Sequence, residues 1–254
     1  MGRIAVVAAM REELHGFLDD MGRTASKETR AGREFFLGEI AGHEVVAVLS
    51  GIGKVAAAIT ATTLLDRYGV GAVLFTGVAG GVGDGVRVGD IVIADALVQH
   101  DMDARPLFPR FEVPLTGTSR FAADAQLAAL ARTAAEQALA LDLAAEVDAA
   151  TLAEFGVSAP RVHAGLIASG DQFIADAGKA AQLCADLPGL LAVEMEGAAV
   201  AQVCADHGMP LAVMRTVSDR ADAHAAFDFG RFVERVASRY SHVFVRRLLD
   251  ALSA

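Results

Sequence analysis

Short apolar runs alternate with amphipathic stretches along almost the whole chain. Residues 3–9 form one such run, and its length and polar boundaries predict a buried strand. Residues 11–21 follow helical spacing, and 33–40 with 44–50 predict a hairpin turned at Gly42. The alanine-rich stretch 54–68 carries its apolar residues at helical period and closes at Gly69 and Gly71. Further strands are predicted at 72–75, 91–98, 162–169 and 211–217, and helices at 124–154, 176–186, 196–207 and 229–252. Between 101 and 121, Pro106, Pro109 and Pro114 alternate with Phe108, Phe111 and Phe121, which predicts a long ordered loop. Such alternation predicts an α/β fold: a single three-layer domain over residues 1–254, with a twisted, mixed, mostly parallel central sheet flanked by helices.

Composition narrows the function classes. At 254 residues and 54% hydrophobic, the chain suits one large core better than two small ones. A net charge of −10 disfavours nucleic acid as a partner, because that binding depends on neutralising phosphates. The two cysteines, Cys184 and Cys204, lie in apolar or helical surroundings without metal-ligand spacing, so buried reduced thiols are expected and no metal site. No secretory signal pattern and no apolar run of membrane-spanning length is seen, so no membrane partner and a cytoplasmic location are expected.

The chemistry sits at the ends of the apolar runs. Met10-Arg11-Glu12-Glu13 ends the first, Glu194-Met195-Glu196-Gly197 follows Leu190-Leu191-Ala192-Val193, and Arg215-Thr216-Val217-Ser218-Asp219 ends another. Acids and an arginine at the mouths of buried strands are costly unless paired or used. Open α/β sheets bind ligands at such strand ends. Two glycine-rich segments, Ser50-Gly51-Ile52-Gly53-Lys54 and Thr76-Gly77-Val78-Ala79-Gly80-Gly81, also follow strands, and read as turns or ligand loops. Taken singly, each residue has a plainer reading. Glu196 suits a helix N-terminus and Asp219 an N-cap. Phe173 and Met195 suit a core, Arg215 a structural ion pair, and His100, His163, His207 and His224 buried or surface histidines.

Taken in order, these segments resemble the purine nucleoside phosphorylase/nucleosidase superfamily, and within it the 5′-methylthioadenosine/S-adenosylhomocysteine nucleosidases. Gly89-Asp90-Ile91-Val92 and Ser169-Gly170-Asp171-Gln172-Phe173-Ile174 complete the set, which spans residues 4 to about 228. The resemblance implies a nucleoside phosphorylase-like sheet, usually in a homodimer, that cleaves an adenine N-glycosidic bond with no cofactor. It implies Asp219 as the general acid toward adenine N7, with Ser218 orienting it. Glu13 becomes the base for the attacking water in preference to Glu12, and Glu196 the grip on the ribose hydroxyls. Met195 and Glu194 lie at the sugar, Phe173 stacks on the purine, the Ile174 backbone reads the adenine edge, and Arg215 sits near the water and the acids. Val78, Ala79 and Gly80 line the substrate, Val78 standing where some relatives carry serine. Phe227 is the lid aromatic.

The 100–121 region departs from the tyrosine-containing loop of these relatives, which covers the 5′ substituent from a neighbouring subunit. Met102, Phe108 or Phe111 is expected in its place. Carboxylates near the nucleophile would repel phosphate by about 4 kcal/mol at about 4 Å in an effective dielectric near 20, so water is the expected nucleophile. A related phosphorylase, a hydrolase of futalosine-type nucleosides and a non-catalytic nucleoside sensor remain as alternatives.

Overall fold

The computed structural model describes residues 2–22, 25–222 and 225–253, without the side chains of 225–228. In chain order the elements are β1 (Arg3–Ala8), α1 (Arg11–Met21), β2 (Ser26–Arg30), β3 (Arg33–Ile40), β4 (His43–Leu49), α2 (Lys54–Tyr68), β5 (Val70–Thr76), β6 (Val78–Gly81), β7 (Ile91–Gln99) and β8 (Arg120–Ala122). There follow α3 (Ala125–Gln137), α4 (Leu143–Glu146), α5 (Ala149–Glu154), β9 (Val162–Ser169), α6 (Ala177–Asp186), β10 (Leu190–Glu194), α7 (Gly197–Asp206), β11 (Leu211–Asp219), α8 (Ala225–Phe232) and α9 (Ser238–Leu252).

The strands form one mixed sheet in the order β2-β3-β4-β1-β5-β11-β6-β10-β9-β7-β8. β11 also pairs with β7, so β11, β6, β10, β9 and β7 close into a ring. β1 shows why the inner strands read as continuous apolar runs. Ile4, Val6 and Ala8 face one side and pack with Leu14 and Phe17 of α1 and Tyr240, Phe244 and Leu248 of α9. Ala5 and Val7 face the other, with Ala57, Ala61 and Leu64 of α2 and Val200 and Ala201 of α7. Helices thus cover both faces, and alternation in polarity disappears because both faces are buried.

Three expectations need correction. Residues 78–81 are a strand, β6, and not a loop: Val78 and Ala79 pair with Thr216 and Val217 of β11, and Gly80 pairs with Val193 of β10. Its glycines answer crowding, since a Cβ on Gly81 would lie 2.8 Å from Val217 Cγ1 and 3.0 Å from Val86 Cγ1. The 124–154 segment is not one helix. A π-helical turn at Ala138–Asp142 follows α3, and Asp148 caps a new helix by accepting from the Thr151 amide at 2.8 Å. The C-terminal helix starts at Ala225 and is interrupted by a second π-helical turn, Val233–Ala237.

Overpacking a filled core costs about 1–3 kcal/mol. Gly81→Ala is therefore expected to lower Tm by roughly 2–10 °C in a thermal melt. An unchanged Tm would show that β6 has room to shift.

Candidate active site

Register brings the strand-end acids together. Asp219 of β11 lies beside Gly80 of β6, and Gly80 lies beside Val193 of β10. Two strand spacings, about 10 Å, therefore separate the end of β11 from the end of β10. Between them opens a cleft of about 800 Å³, part of it open to solvent. Its wall carries Val78, Ala79, Gly80, Phe173, Ile174, Glu194, Met195, Glu196, Ser218 and Asp219, all expected from sequence.

Asp219 is held on both oxygens: Ser218 Oγ donates to Oδ2 at 2.8 Å, and the Ala221 amide donates to Oδ1 at 2.8 Å. The Ser218 hydroxyl also lies 3.4 Å from the Ala79 carbonyl. Its single proton can therefore turn to the carbonyl when Asp219 carries a proton of its own.

Glu194 organises the opposite wall. It accepts from Arg215 Nη2 at 2.8 Å, from the Gly197 amide at 2.8 and 3.0 Å, from the Glu196 amide at 3.2 Å, and from Ser169 Oγ. These bonds fold residues 194–197 into a tight turn at the start of α7. The turn directs Glu196 to the Gly53 amide, which donates to its Oε1 at 2.8 Å. Gly53 has φ +87, and a Cβ there would stand 2.9 Å from Asp171 Oδ1, so this glycine is required by backbone and space together. Burial, and then the neighbouring Glu194 charge, push the Glu196 carboxyl up to about 7. Met195 is half-buried at the wall.

Arg215 is fully buried and away from the cleft surface. It pairs with Glu194, donates through Nη1 to the Phe75 and Met214 carbonyls at 3.2 and 2.9 Å, and lies 4.1 Å over the Phe75 ring. The plainer reading, a structural ion pair, fits it better than a place in the open site.

Glu13 also departs from expectation. It is fully buried and absent from the cleft wall, although Ala9 and Met10 are on it. At the third position of α1 it reaches back to the helix start, and Oε2 accepts from the Ala9 and Met10 amides at 3.2 and 3.0 Å. Oε1 accepts from Ser241 Oγ at 2.6 Å. Burial raises its pKa, and Ser241, the two amides and the Arg215 charge oppose the rise. The carboxylate thus lies one backbone layer behind the wall. Glu12 is exposed, pointing elsewhere as expected.

Phe173 is 47% exposed and meets the Phe229 ring edge-on at 5.9 Å. The Phe227 side chain lies outside the described residues, and Phe229, not anticipated from sequence, stands on the wall. The two are alternatives in the phase of a short helix, which aromatic content alone does not choose. Ile52 and Gln172 also line the cleft unforeseen, although both lie inside segments already singled out. Met102, Phe108 and Phe111 are not on this chain's wall. Phe111 packs instead against the apolar cluster that contains Val98 and Ile174, beneath Arg110. Among the described residues no cluster of His, Cys, Asp or Glu is arranged to hold a metal, and no helix is long and apolar enough to cross a membrane.

Comparison with known proteins shows the family and the fold. Residues 3–250 match the family model of the phosphorylase superfamily. A 5′-methylthioadenosine/S-adenosylhomocysteine nucleosidase of Bacillus thuringiensis is 37% identical over 250 residues, covering 98% of this chain and 99% of the relative. The nucleosidase of that name from S. pneumoniae, solved with a transition-state inhibitor, superposes with a TM-score of 0.83 at 34% identity, covering 98% of this chain and 99% of that one. Futalosine hydrolase of Helicobacter pylori superposes with a TM-score of 0.84 at 31% identity, covering 98% of each chain. The chain belongs to the phosphorylase superfamily and, within it, to the 5′-methylthioadenosine/S-adenosylhomocysteine nucleosidase family.

Proposed function

We propose that this enzyme is an N-glycosyl hydrolase that cleaves 5′-methylthioadenosine and S-adenosylhomocysteine to adenine and the 5-substituted ribose. The observation that carries the reading is that Asp219 and Glu196 line one cleft together with Phe173, Ile174 and Met195. The purine stacks on Phe173, with Ile174 at its edge. Asp219, oriented by Ser218, gives a proton to N7 as the C1′–N9 bond breaks and its electrons pass to the adenine. The cationic ribosyl group meets Glu196, whose carboxylate accepts from the ribose hydroxyls, and Glu194 stands beside it. Stabilising that charge as it develops lowers the barrier most, by roughly 3 kcal/mol or more.

Water then attacks C1′ and its proton passes to Glu13, so the hydrolysis balances without a cofactor. This role needs water to reach Glu13 from the Ala9–Met10 side of the wall. Among the described wall residues there is no Arg, Lys or His, which supports water over phosphate as nucleophile. The apolar wall positions Met10, Ile52 and Phe229 suit an alkylthio 5′ group. A futalosine-type nucleoside is the second reading, favoured by the equal closeness of that fold.

The continuous sheet supports treating residues 1–254 as one unit. Homodimerisation is supported by exposed apolar side chains around the start of α2. Ile52, Val55 and Ile59 are 72, 71 and 42% exposed, and Leu107 and Leu115 in the 101–121 segment are 83 and 89% exposed. Lys54 ties the start of that segment to α2 through Asp101 at 2.6 Å. Isolated apolar side chains need no explanation, but several on segments joined by this ion pair support the reading of a contact surface. A cytoplasmic location fits a small-molecule substrate of this kind.

Adenine release should be seen with methylthioadenosine in phosphate-free buffer, and at an unchanged rate when phosphate is added. A strict phosphate requirement, or turnover of futalosine-type nucleosides alone, would replace this reading. Asp219→Asn should lose two or more orders of magnitude in kcat while substrate still binds in calorimetry.

Glu196 yields a stability prediction. Its carboxyl is raised to about 7 from an ordinary 4.5, so between those values the folded state holds the proton more tightly, and stability falls as pH rises. Glu196→Gln should therefore raise Tm relative to the parent at pH 8 and much less at pH 5, while activity drops. An equal change at both pH values would contradict the raised pKa. Light scattering should give twice the chain mass, and Val55→Glu should shift it toward the monomer.

A further inference from the structure

Ser241 lies in the first turn of α9, 228 residues from Glu13 in sequence, and belongs to none of the motifs that carry the resemblance. It is fully buried, as is Glu13, and Thr76 at the end of β5 is 1% exposed. Thr76 Oγ1 donates to Ser241 Oγ at 2.8 Å, and Ser241 Oγ donates to Glu13 Oε1 at 2.6 Å. We propose that Thr76 and Ser241 form a one-way hydrogen-bond relay that positions Glu13 and holds it ionised as the base for water; this rests on the base role proposed above.

The direction of the relay follows from proton counting. Each hydroxyl has one proton. If Glu13 were protonated on Oε1 and donated to Ser241, then Ser241 would donate to Thr76. The Thr76 proton would then need another acceptor in a buried place, and its hydroxyl makes no other bond among the described residues. In the opposite sense every proton is used: Thr76 donates to Ser241, and Ser241 to a carboxylate. A buried donor left without an acceptor is costly, so the relay favours the ionised state against the burial that raises the Glu13 pKa. Ser241 takes Oε1, while Oε2 rests on the amides of Ala9 and Met10, both residues of the cleft wall. The relay therefore anchors Oε1, and the two amides anchor Oε2.

The charges around Glu13 leave this task to neutral donors. Arg215 of β11 is the cation whose charge reaches it, and that charge is already answered by Glu194 of β10. On its own helix Arg11 and Glu12 are exposed. On α9, Arg239 is exposed, Tyr240 is buried, and His242 is bonded to Asp20 at 2.8 Å. Against the burial that raises the Glu13 pKa, Ser241 is the largest opposing contribution.

The test uses the full-length enzyme labelled with carboxyl-13C glutamate, the Glu13 resonance being assigned by its loss in Glu13→Gln. In Ser241→Ala the Glu13 titration midpoint should move up by about one pH unit, as expected on losing a hydrogen bond to a charged group. Turnover of methylthioadenosine should fall about tenfold in kcat near neutral pH, with KM within about twofold. Thr76→Val, which keeps the shape and removes the first donor, should shift the midpoint in the same direction by less, and Thr76→Ser should leave it in place. If Ser241→Ala unfolds, the Thr76 pair decides. An unmoved midpoint in Ser241→Ala, or in Thr76→Val where it stands alone, overturns the relay; so does an upward shift with kcat unchanged while Glu13→Gln is inactive. If Glu13→Gln turns over normally, the base assignment fails instead, and the midpoint still reports whether Ser241 governs the Glu13 charge.

Discussion

The site depends on one buried ion pair. Arg215 and Glu194 are both removed from solvent, and the desolvation of two charges is repaid only when every remaining donor and acceptor is met. Here they are. The guanidinium reaches two main-chain carbonyls and the Phe75 ring, and the carboxylate collects the Glu196 and Gly197 amides and the Ser169 hydroxyl. The pair therefore ties β11 to the turn between β10 and α7, and through Ser169 to the end of β9. These are the elements that carry Asp219, Glu196 and Phe173. Removing either partner would leave a buried charge and release the turn, so the pair serves geometry more than net stability.

The pair also shapes the chemistry of its neighbour. Glu196 stands next to a carboxylate whose charge is mostly answered by Arg215, in a place with little water. The residual repulsion and the burial act in the same direction, which is why this acid holds its proton to about 7. Before substrate binds, Glu196 thus need not keep a full negative charge. Under the proposed reaction, positive charge developing on a bound sugar favours the ionised form, and the attraction is greatest where it is most needed. Asp219 lies across the cleft in different surroundings, with an amide and a hydroxyl on its oxygens. Carboxyl groups of one chemical kind are thereby given separate tasks by their surroundings.

Much of this was legible before the fold was known. Strand ends bearing acids located the wall, because a charged residue at the end of an apolar run has few places to go. The parts that escaped share a physical cause: they depend on contacts between distant segments. The β6 residues Val78-Ala79-Gly80-Gly81 have weak strand propensity, and pairing on both sides makes them a strand. The stretch 124–154 has helix-forming composition throughout, which hid the break; Asp148 was a readable cap within it. Arg215 was readable as an ion pair, but its partner and depth were not. Glu13 was singled out by the resemblance, yet its burial behind Ala9 and Met10 follows from the packing of α1 against α9, and no local pattern encodes that.

The last consequence concerns how an acidic site keeps its nucleophile. A cation on the wall would hold the ionised acids in place, but it would also attract phosphate and oppose the positive charge on the sugar. Among the described residues, Arg215, the cation whose charge acts on Glu13 and Glu196, lies behind the wall and is already paired. The remaining task of holding Glu13 falls to uncharged donors: two amides, and a hydroxyl from the C-terminal helix. Neutral donors stabilise a carboxylate at short range without projecting a field into the cleft. Under the proposed function, the packing of α9 against α1 and the selection of water over phosphate become parts of the same arrangement.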